Sequence, residues 1–469
     1  MCAGEAQDKA RHHGATPLWM VCQIGAREHY VLAASLRRKG RLLALFTEVW
    51  APPGSFWRLL ASAVEHLKYK NAARAIEGRY LNCHLTVCSP SAFRWIIWRL
   101  FCGRFEQDDR FSSWAARRIK CLAEQKPGTP IVVFSYSYGA RQIAKAAKEV
   151  GAPFILGQID GGPEEMSLVR GISRQHGVSV DGDWRDAEYW QSWRDECEFA
   201  DVILVNSRWA LQLLIKAGVN DKKCVILPLA YDPTDRVTKA KIYPLVFTIQ
   251  RPMRVLYLGQ VTARKGIVEL CGAMRLLEDQ PIELRIVGPV QSGIDTRGVG
   301  CKSITWLGSS PRASVGEHYS WADIFILPTH SDGFAITQLE AQAHALPIIS
   351  SPFCGEVVQH EINGLRISAV TPEAIADALR WAAGHPQALG RMSTQSILDV
   401  HKYSSERIVE ELCKIVDALH TSTKGACRHP DGSPATTASP RMLSANDEEA
   451  DAALTSVRSP IWRRLRTDV

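Results

Sequence analysis

Short runs of continuous apolar residues alternate with amphipathic stretches along most of the chain. Leu18 to Gly25 (LWMVCQIG) reads as a strand buried on both faces, and REHYVLAASLRRKG after it as a helix that stops at Gly40. RLLALFTEV is a second strand. The alternation returns in PIVVFSYS, GARQIAKAAKEVG and APFILGQID, and again in ADVILVNS, RWALQLLIKAG and KCVILPLA. Continuous strands separated by amphipathic helices predict a parallel sheet covered on both faces.

The pattern restarts at Met253. MRVLYLG, a helix from Ile267 to Leu277, IELRIVG, ITWLG, ADIFILP, a helix from Thr337 to Ala345 and LPIIS follow in order. Tyr231 to Pro252 carries prolines and charges without a clean period, which places a linker there. The expectation is an α/β protein of two facing, Rossmann-like, doubly wound domains, with ligands bound beyond the carboxyl ends of their strands, in the cleft. The divisions are a disordered start over 1–17, a first domain over 18–235, a linker over 236–252 and a second domain over 253–402. A capped amphipathic helix follows over 403–420, with Ser404 or Ser405 as its cap, then a Ser-, Thr-, Ala- and Pro-rich tail over 421–469 expected to be disordered.

Composition narrows the class. The chain has 469 residues, 46% apolar and 22% charged, with a net charge of +7. That charge suits an anionic substrate or an anionic membrane surface, and no nucleic-acid-binding signature accompanies it. Thirteen cysteines without a CxxC pair read as reduced thiols of a cytoplasmic protein, and no His or Cys cluster has the spacing of a metal site. No apolar run is long enough to span a membrane. FRWIIWRLFCGRF, Phe93 to Phe105, fits either a core-packing helix or an interfacial one at the inner face of a membrane, with Arg94 and Arg99 flanking the apolar face. The terminal IWRRLRTDV is a basic and apolar patch, either unstructured tail or a docking motif.

Candidate chemistry begins in THSDGFAITQLEAQAHALPIIS, Thr329 to Ser350. Asp332 and Gly333 form a turn pair directly after a strand, and Glu340 follows Asp332 after seven intervening residues. Thr337 with Glu340 fits a capping box, a purely structural use. The same geometry also fits a ligand site, in which the N–H groups of Phe334, Ile336 and Thr337 attract phosphate and the two carboxylates accept bonds from sugar hydroxyls. YLGQVTARKGIVEL favours the second use. It sets Arg264 and Lys265 at the carboxyl end of another strand, where a diphosphate would sit.

RVLYLGQVTARKGIVEL, IELRIVGP, ITWLGSSPRASV, ADIFILPTHSDGFAITQLEAQAHALPIISS and NGLRIS resemble the donor-binding half of the retaining glycosyltransferases of family 4, which have the GT-B fold. The resemblance is specific from about Met253 to Leu419 and continues more weakly upstream. It implies transfer of a hexosyl unit, with retention, from a nucleoside diphosphate sugar to a glycan, lipid or small-molecule acceptor, with no metal or other cofactor. It also implies roles: Glu340 on the ribose, Asp332 with Gly333 and Phe334 on the donor sugar, Lys265 on the leaving diphosphate, and the Gly25–Ala26 turn closing over the phosphates. Three positions depart from the family pattern, the first being Asp332, where Glu is the commoner acid. Gln260 stands where an Arg is frequent, leaving Arg264 to supply that charge, and Asp160 of GQIDGGP stands where a His is frequent near the acceptor. The rival expectations are a sugar-nucleotide epimerase of the same fold and a catalytically silent binding or scaffold protein.

Overall fold

The computed structural model describes residues 16–25, 27–48, 87–88, 104–178, 185–233, 237–296, 301–311 and 314–425. Ala26, the tryptophan-rich stretch 93–103, the first 15 residues and everything after 425 lie outside the described residues.

The first sheet holds β1 (Leu18–Gln23), β2 (Leu42–Thr47), β3 (Val87–Cys88), β4 (Ile131–Tyr136), β5 (Phe154–Gln158), β6 (Val202–Val205) and β7 (Cys224–Ile226). Its seven strands lie in the order β3-β2-β1-β4-β5-β6-β7, all parallel. The second sheet holds β8 (Met253–Leu258), β9 (Ile282–Val287), β10 (Ile304–Gly308), β11 (Ile324–Leu327), β12 (Ile348–Ser350) and β13 (Gly364–Arg366). Its six strands run β10-β9-β8-β11-β12-β13, again all parallel.

Burial on both faces explains the continuous apolar runs. Every residue of β4 and β5 is buried, and the helix Arg141–Glu149 lays Ile143, Ala144, Ala146 and Ala147 against the sheet. Each fully buried large side chain, such as Phe154, Ile155 or Leu156, contributes about 1.5–3 kcal/mol. That helix has Ala140 at its N-cap, which offers no side-chain acceptor. Glu196, 1% exposed, supplies one from a neighbouring helix, accepting from the N–H groups of Tyr138, Gly139 and Ala140 at 2.8–2.9 Å. Burial pushes its carboxyl up to about 7, against the pull of those N–H bonds.

The last described helix, Ser405–Gly425, returns to the first domain. Arg38 donates to the Ser405 hydroxyl, and Arg41 forks onto Asp417 at 2.6 and 3.2 Å. The Asp232 carboxylate accepts from both the N–H and the hydroxyl of Ser405 at the start of this helix. The helix also runs five residues beyond His420, so the expected tail boundary at 421 moves to at least 425. REHY differs too: Arg27–Tyr30 is a 3-10 turn, with the α-helix over Val31–Arg38, because Tyr30 takes φ 62 at the junction. The eight cysteines described for their environment are all free thiols. No described helix is long and apolar enough to cross a membrane.

Candidate functional site

In each sheet the chain builds outward from an inner strand on one side and then crosses back to its other side: β1 lies between β2 and β4, and β8 between β9 and β11. Loops leaving the carboxyl ends at such a switch point diverge and open a crevice. The loops after β1, β4, β8 and β11 therefore converge, and a cavity of about 890 Å³ lies among them, lined in part by Gly25, Tyr138, Asp160, Arg264, Asp332 and Gly333.

After β8 the chain makes a 3-10 turn over Ala263–Lys265 and ends it on Gly266 at φ 71. A Cβ at Gly266 would stand 1.8 Å from the Pro328 carbonyl oxygen, so only glycine lets this turn press against the end of β11. The result is a buried ion pair between Lys265 and Asp332, whose side chains are 12% and 15% exposed. Burial, then the adjacent Arg264 guanidinium, pulls the Lys265 ammonium down to about 7, with Cys354 and Glu165 acting in the opposite sense.

Arg264 points across the cleft. It donates to the Ser331 carbonyl at 2.6 Å and lies 3.6 Å from Glu165, on the first-domain helix Gly162–Gln175. Glu165, 7% exposed, accepts from the Ser331 hydroxyl at 2.7 Å and from Gly161 N–H at 2.8 Å. The Trp209 indole donates to that same hydroxyl at 2.9 Å. Gly333 presses on the first domain as well: a Cβ there would meet the Ile159 carbonyl oxygen at 2.7 Å and the Asn206 amide at 3.2 Å.

One expectation about the Asp332–Glu340 loop needs correction. No side chain caps the helix Thr337–Ala343: Ile336 is its N-cap, Ala335 turns the chain in at φ 63, and Glu340 N–H bonds back to the Ile336 carbonyl. The capping box is absent because the Ala335 turn leaves no extended cap residue. Glu340 instead accepts from the Tyr319 hydroxyl at 2.8 Å, and that ring stacks on His344 at 5.1 Å. Burial, then the Glu340 carboxylate, holds the Tyr319 phenol well above its usual range. Phe334, expected at the sugar, is 2% exposed and packs in the core against Tyr403, while its N–H donates to Asp332 at 3.4 Å. Its size and apolarity make it a wedge under the loop.

Gln260 is exposed, and its carbonyl accepts from the Tyr257 hydroxyl at 2.7 Å. Ile336 and Thr337 are half-buried and outside the cavity lining. Asp160 faces the cavity with one carboxylate oxygen bonded by the Tyr138 hydroxyl, the Gln158 amide at 3.2 Å and Gly162 N–H at 3.0 Å. Lys265 and Glu340 do not line the cavity; each stands behind it, paired to Asp332 and Tyr319. Glu165, Trp209 and Tyr319 carried no local motif, since each acts through a partner far away in sequence. Among the described residues one His, Cys, Asp or Glu group brings its ligand atoms close enough for a metal ion: His176, Glu269 and His330. Sequence spacing gave no hint of it, because the three come from separate elements.

Residues 252–384 match the family of glycosyl transferases group 1. The uncharacterized glycosyltransferase MJ1607 of Methanocaldococcus jannaschii is 30% identical over 173 residues, which are 34% of this chain and 44% of that protein. The first curated relatives are matched over 44%, 46% and 61% of their own length. Among solved structures, sucrose-phosphate synthase from Thermosynechococcus elongatus superposes with a TM-score of 0.57 at 16% identity, covering 86% of this chain and 100% of the other. Anabaena HepE in complex with UDP gives 0.54 at 12% identity, with 86% and 100% covered. The architecture is thus the two-domain α/β GT-B fold.

Proposed function

We propose that the protein is a retaining glycosyltransferase of family 4 that moves a hexosyl unit from a nucleoside diphosphate sugar held in the cleft. The observation that carries this reading is the meeting of Arg264, Asp332 and Asp160 on one cavity, with Lys265 paired behind Asp332, all at strand carboxyl ends of the two domains. In this reading the diphosphate approaches the Lys265–Asp332 pair and recruits the ammonium. Negative charge that grows on the leaving phosphate is met by Lys265 and Arg264, so a metal ion is not required for departure. Asp332 then turns to the donor sugar and Glu340, oriented by Tyr319, to the ribose. Asp160 faces the acceptor.

The group 1 match over the second domain and the glycosyltransferase named among the relatives support transfer over epimerisation or a silent scaffold. HepE, bound to UDP, makes uridine diphosphate sugars the first donors to try. A thermal-shift panel of nucleoside diphosphates and their sugar conjugates tests the reading. A ligand at about 100 times its dissociation constant should stabilise the fold by roughly 2.7 kcal/mol. No shift with any nucleotide would defeat the proposal.

A further inference from the structure

His176 closes the C-terminal end of the helix Gly162–Gln175 in the first domain. Glu269 lies in the first turn of Ile267–Arg275, and His330 in the loop after β11, both in the second domain. The Nε2 atoms of His176 and His330 stand 3.0 and 2.9 Å from the same Glu269 oxygen, Oε1. Glu269 is 7% exposed, and its other oxygen, Oε2, is buried with no hydrogen-bond partner. His176 Nε2 is also buried and makes no hydrogen bond, so its 3.0 Å approach to Oε1 is not aligned for donation. A buried carboxylate oxygen left without a partner is destabilising. A ligand to this group would remove that cost.

We propose that His176, Glu269 and His330 form a binding site for one divalent transition ion of the zinc type, and that the ion clasps the two domains at the rim of the cleft. Two imidazoles and one carboxylate are the donor set of a three-ligand zinc site with an open fourth position, and nitrogen donors disfavour magnesium and calcium. Tetrahedral bonds of about 2.05 Å need ligand atoms about 3.3 Å apart. The ligand atoms all lie within 4.8 Å of one another, and the two Nε2–Oε1 gaps need to open by only a few tenths of an ångström. Oε2 offers a second carboxylate bond. Because His176 belongs to one domain and the other two ligands to the other, the ion holds the cleft in this closed arrangement. The site takes no part in the donor chemistry proposed above, and its test does not depend on a sugar nucleotide.

The full chain, stripped with a chelator under reducing conditions, is titrated with Co²⁺ and followed by absorbance, then with Zn²⁺ in competition. One equivalent should bind with visible ligand-field bands and without an intense near-ultraviolet thiolate band, and Zn²⁺ should raise the melting temperature. His176→Gln, His330→Gln and Glu269→Gln should each weaken binding by about 100-fold or more, given that losing even an outer-shell partner costs 10–100-fold. His176→Gln should also lose the gain in melting temperature, since the two remaining ligands lie in one domain. The two histidines are 15% and 21% exposed, so their variants keep the experiment informative if Glu269→Gln fails to fold. No saturable binding, or a thiolate band with affinity unchanged in all three variants, which would mean an adventitious ion only, overturns the proposal.

Discussion

Replacing Glu165 by alanine removes the carboxylate that joins the two domains at the wall of the cavity. It strands two donors, Gly161 N–H at 2.8 Å and the Ser331 hydroxyl at 2.7 Å, and takes a counter-charge from Arg264 at 3.6 Å. An orphaned buried donor costs about 1–3 kcal/mol, and losing one member of a buried ion pair about 3–5 kcal/mol. The three effects share one carboxylate and do not add, so Glu165→Ala should lose about 3–5 kcal/mol. Glu165→Gln keeps a carbonyl for Gly161 but loses the charge and the acceptor of the Ser331 hydroxyl, which should cost about 1–3 kcal/mol. Urea unfolding followed by far- and near-ultraviolet circular dichroism measures both. Because the lost contacts cross between domains, nucleotide affinity should fall in the same order, alanine more than glutamine. A Glu165→Ala protein within about 0.5 kcal/mol of wild type, the range of ordinary surface substitutions, would show that this carboxylate does not hold the two domains together.

Gly266→Ala should destabilise by about 3 kcal/mol or more, the sum of a left-handed backbone and a contact against the Pro328 carbonyl oxygen; a melting temperature equal to wild type would contradict the account of that turn. Lys265→Ala should lower turnover more than ground-state donor binding, because the diphosphate gains charge as it leaves; equal losses in kcat/KM and binding count against it. Glu196 has its folded pKa raised to about 7 from the usual 4.5, so the folded state holds its proton longer. Its contribution to stability is therefore full below about 4.5 and lost as pH rises through 7, on the order of 3 kcal/mol. Glu196→Gln should flatten that slope in melting curves taken from pH 4 to 8; an unchanged slope assigns it elsewhere.

Most of the architecture was legible because fully buried strands must be continuously apolar. LWMVCQ, IVVFSY and IFIL became β1, β4 and β11, and their order along the chain implied helices on both faces. The three-residue β13 was not, since GLR is too short to show a period. Within the site, Arg264, Lys265 and Asp332 stood out by their combination, at matching carboxyl ends of two strands in one sheet. Glu340 was legible as a polar group but not by its partner, as Tyr319 lies 21 residues away on another helix. Phe334 was placed at the sugar by the family resemblance alone, and no local pattern shows that Gly355 opens the space that receives its ring: a Cβ there would stand 2.4 Å from it. Glu165 and the His176–Glu269–His330 group required the two domains to be brought together, which no local pattern encodes.

Lys265, Asp332 and Glu340 are assigned above to one sugar-nucleotide site, and calorimetric titration of the wild type and three variants with a donor identified in the thermal-shift panel tests that assignment. Glu340→Gln should fold normally and bind the donor roughly 10 to 150-fold more weakly, through loss of a charge-assisted bond worth about 1.5–3 kcal/mol. Asp332→Asn should weaken the sugar conjugate while leaving the free nucleoside diphosphate almost unaffected. Lys265→Ala should bind the conjugate and fail to turn it over. Wild-type binding and turnover in all three would contradict the account and place the site elsewhere.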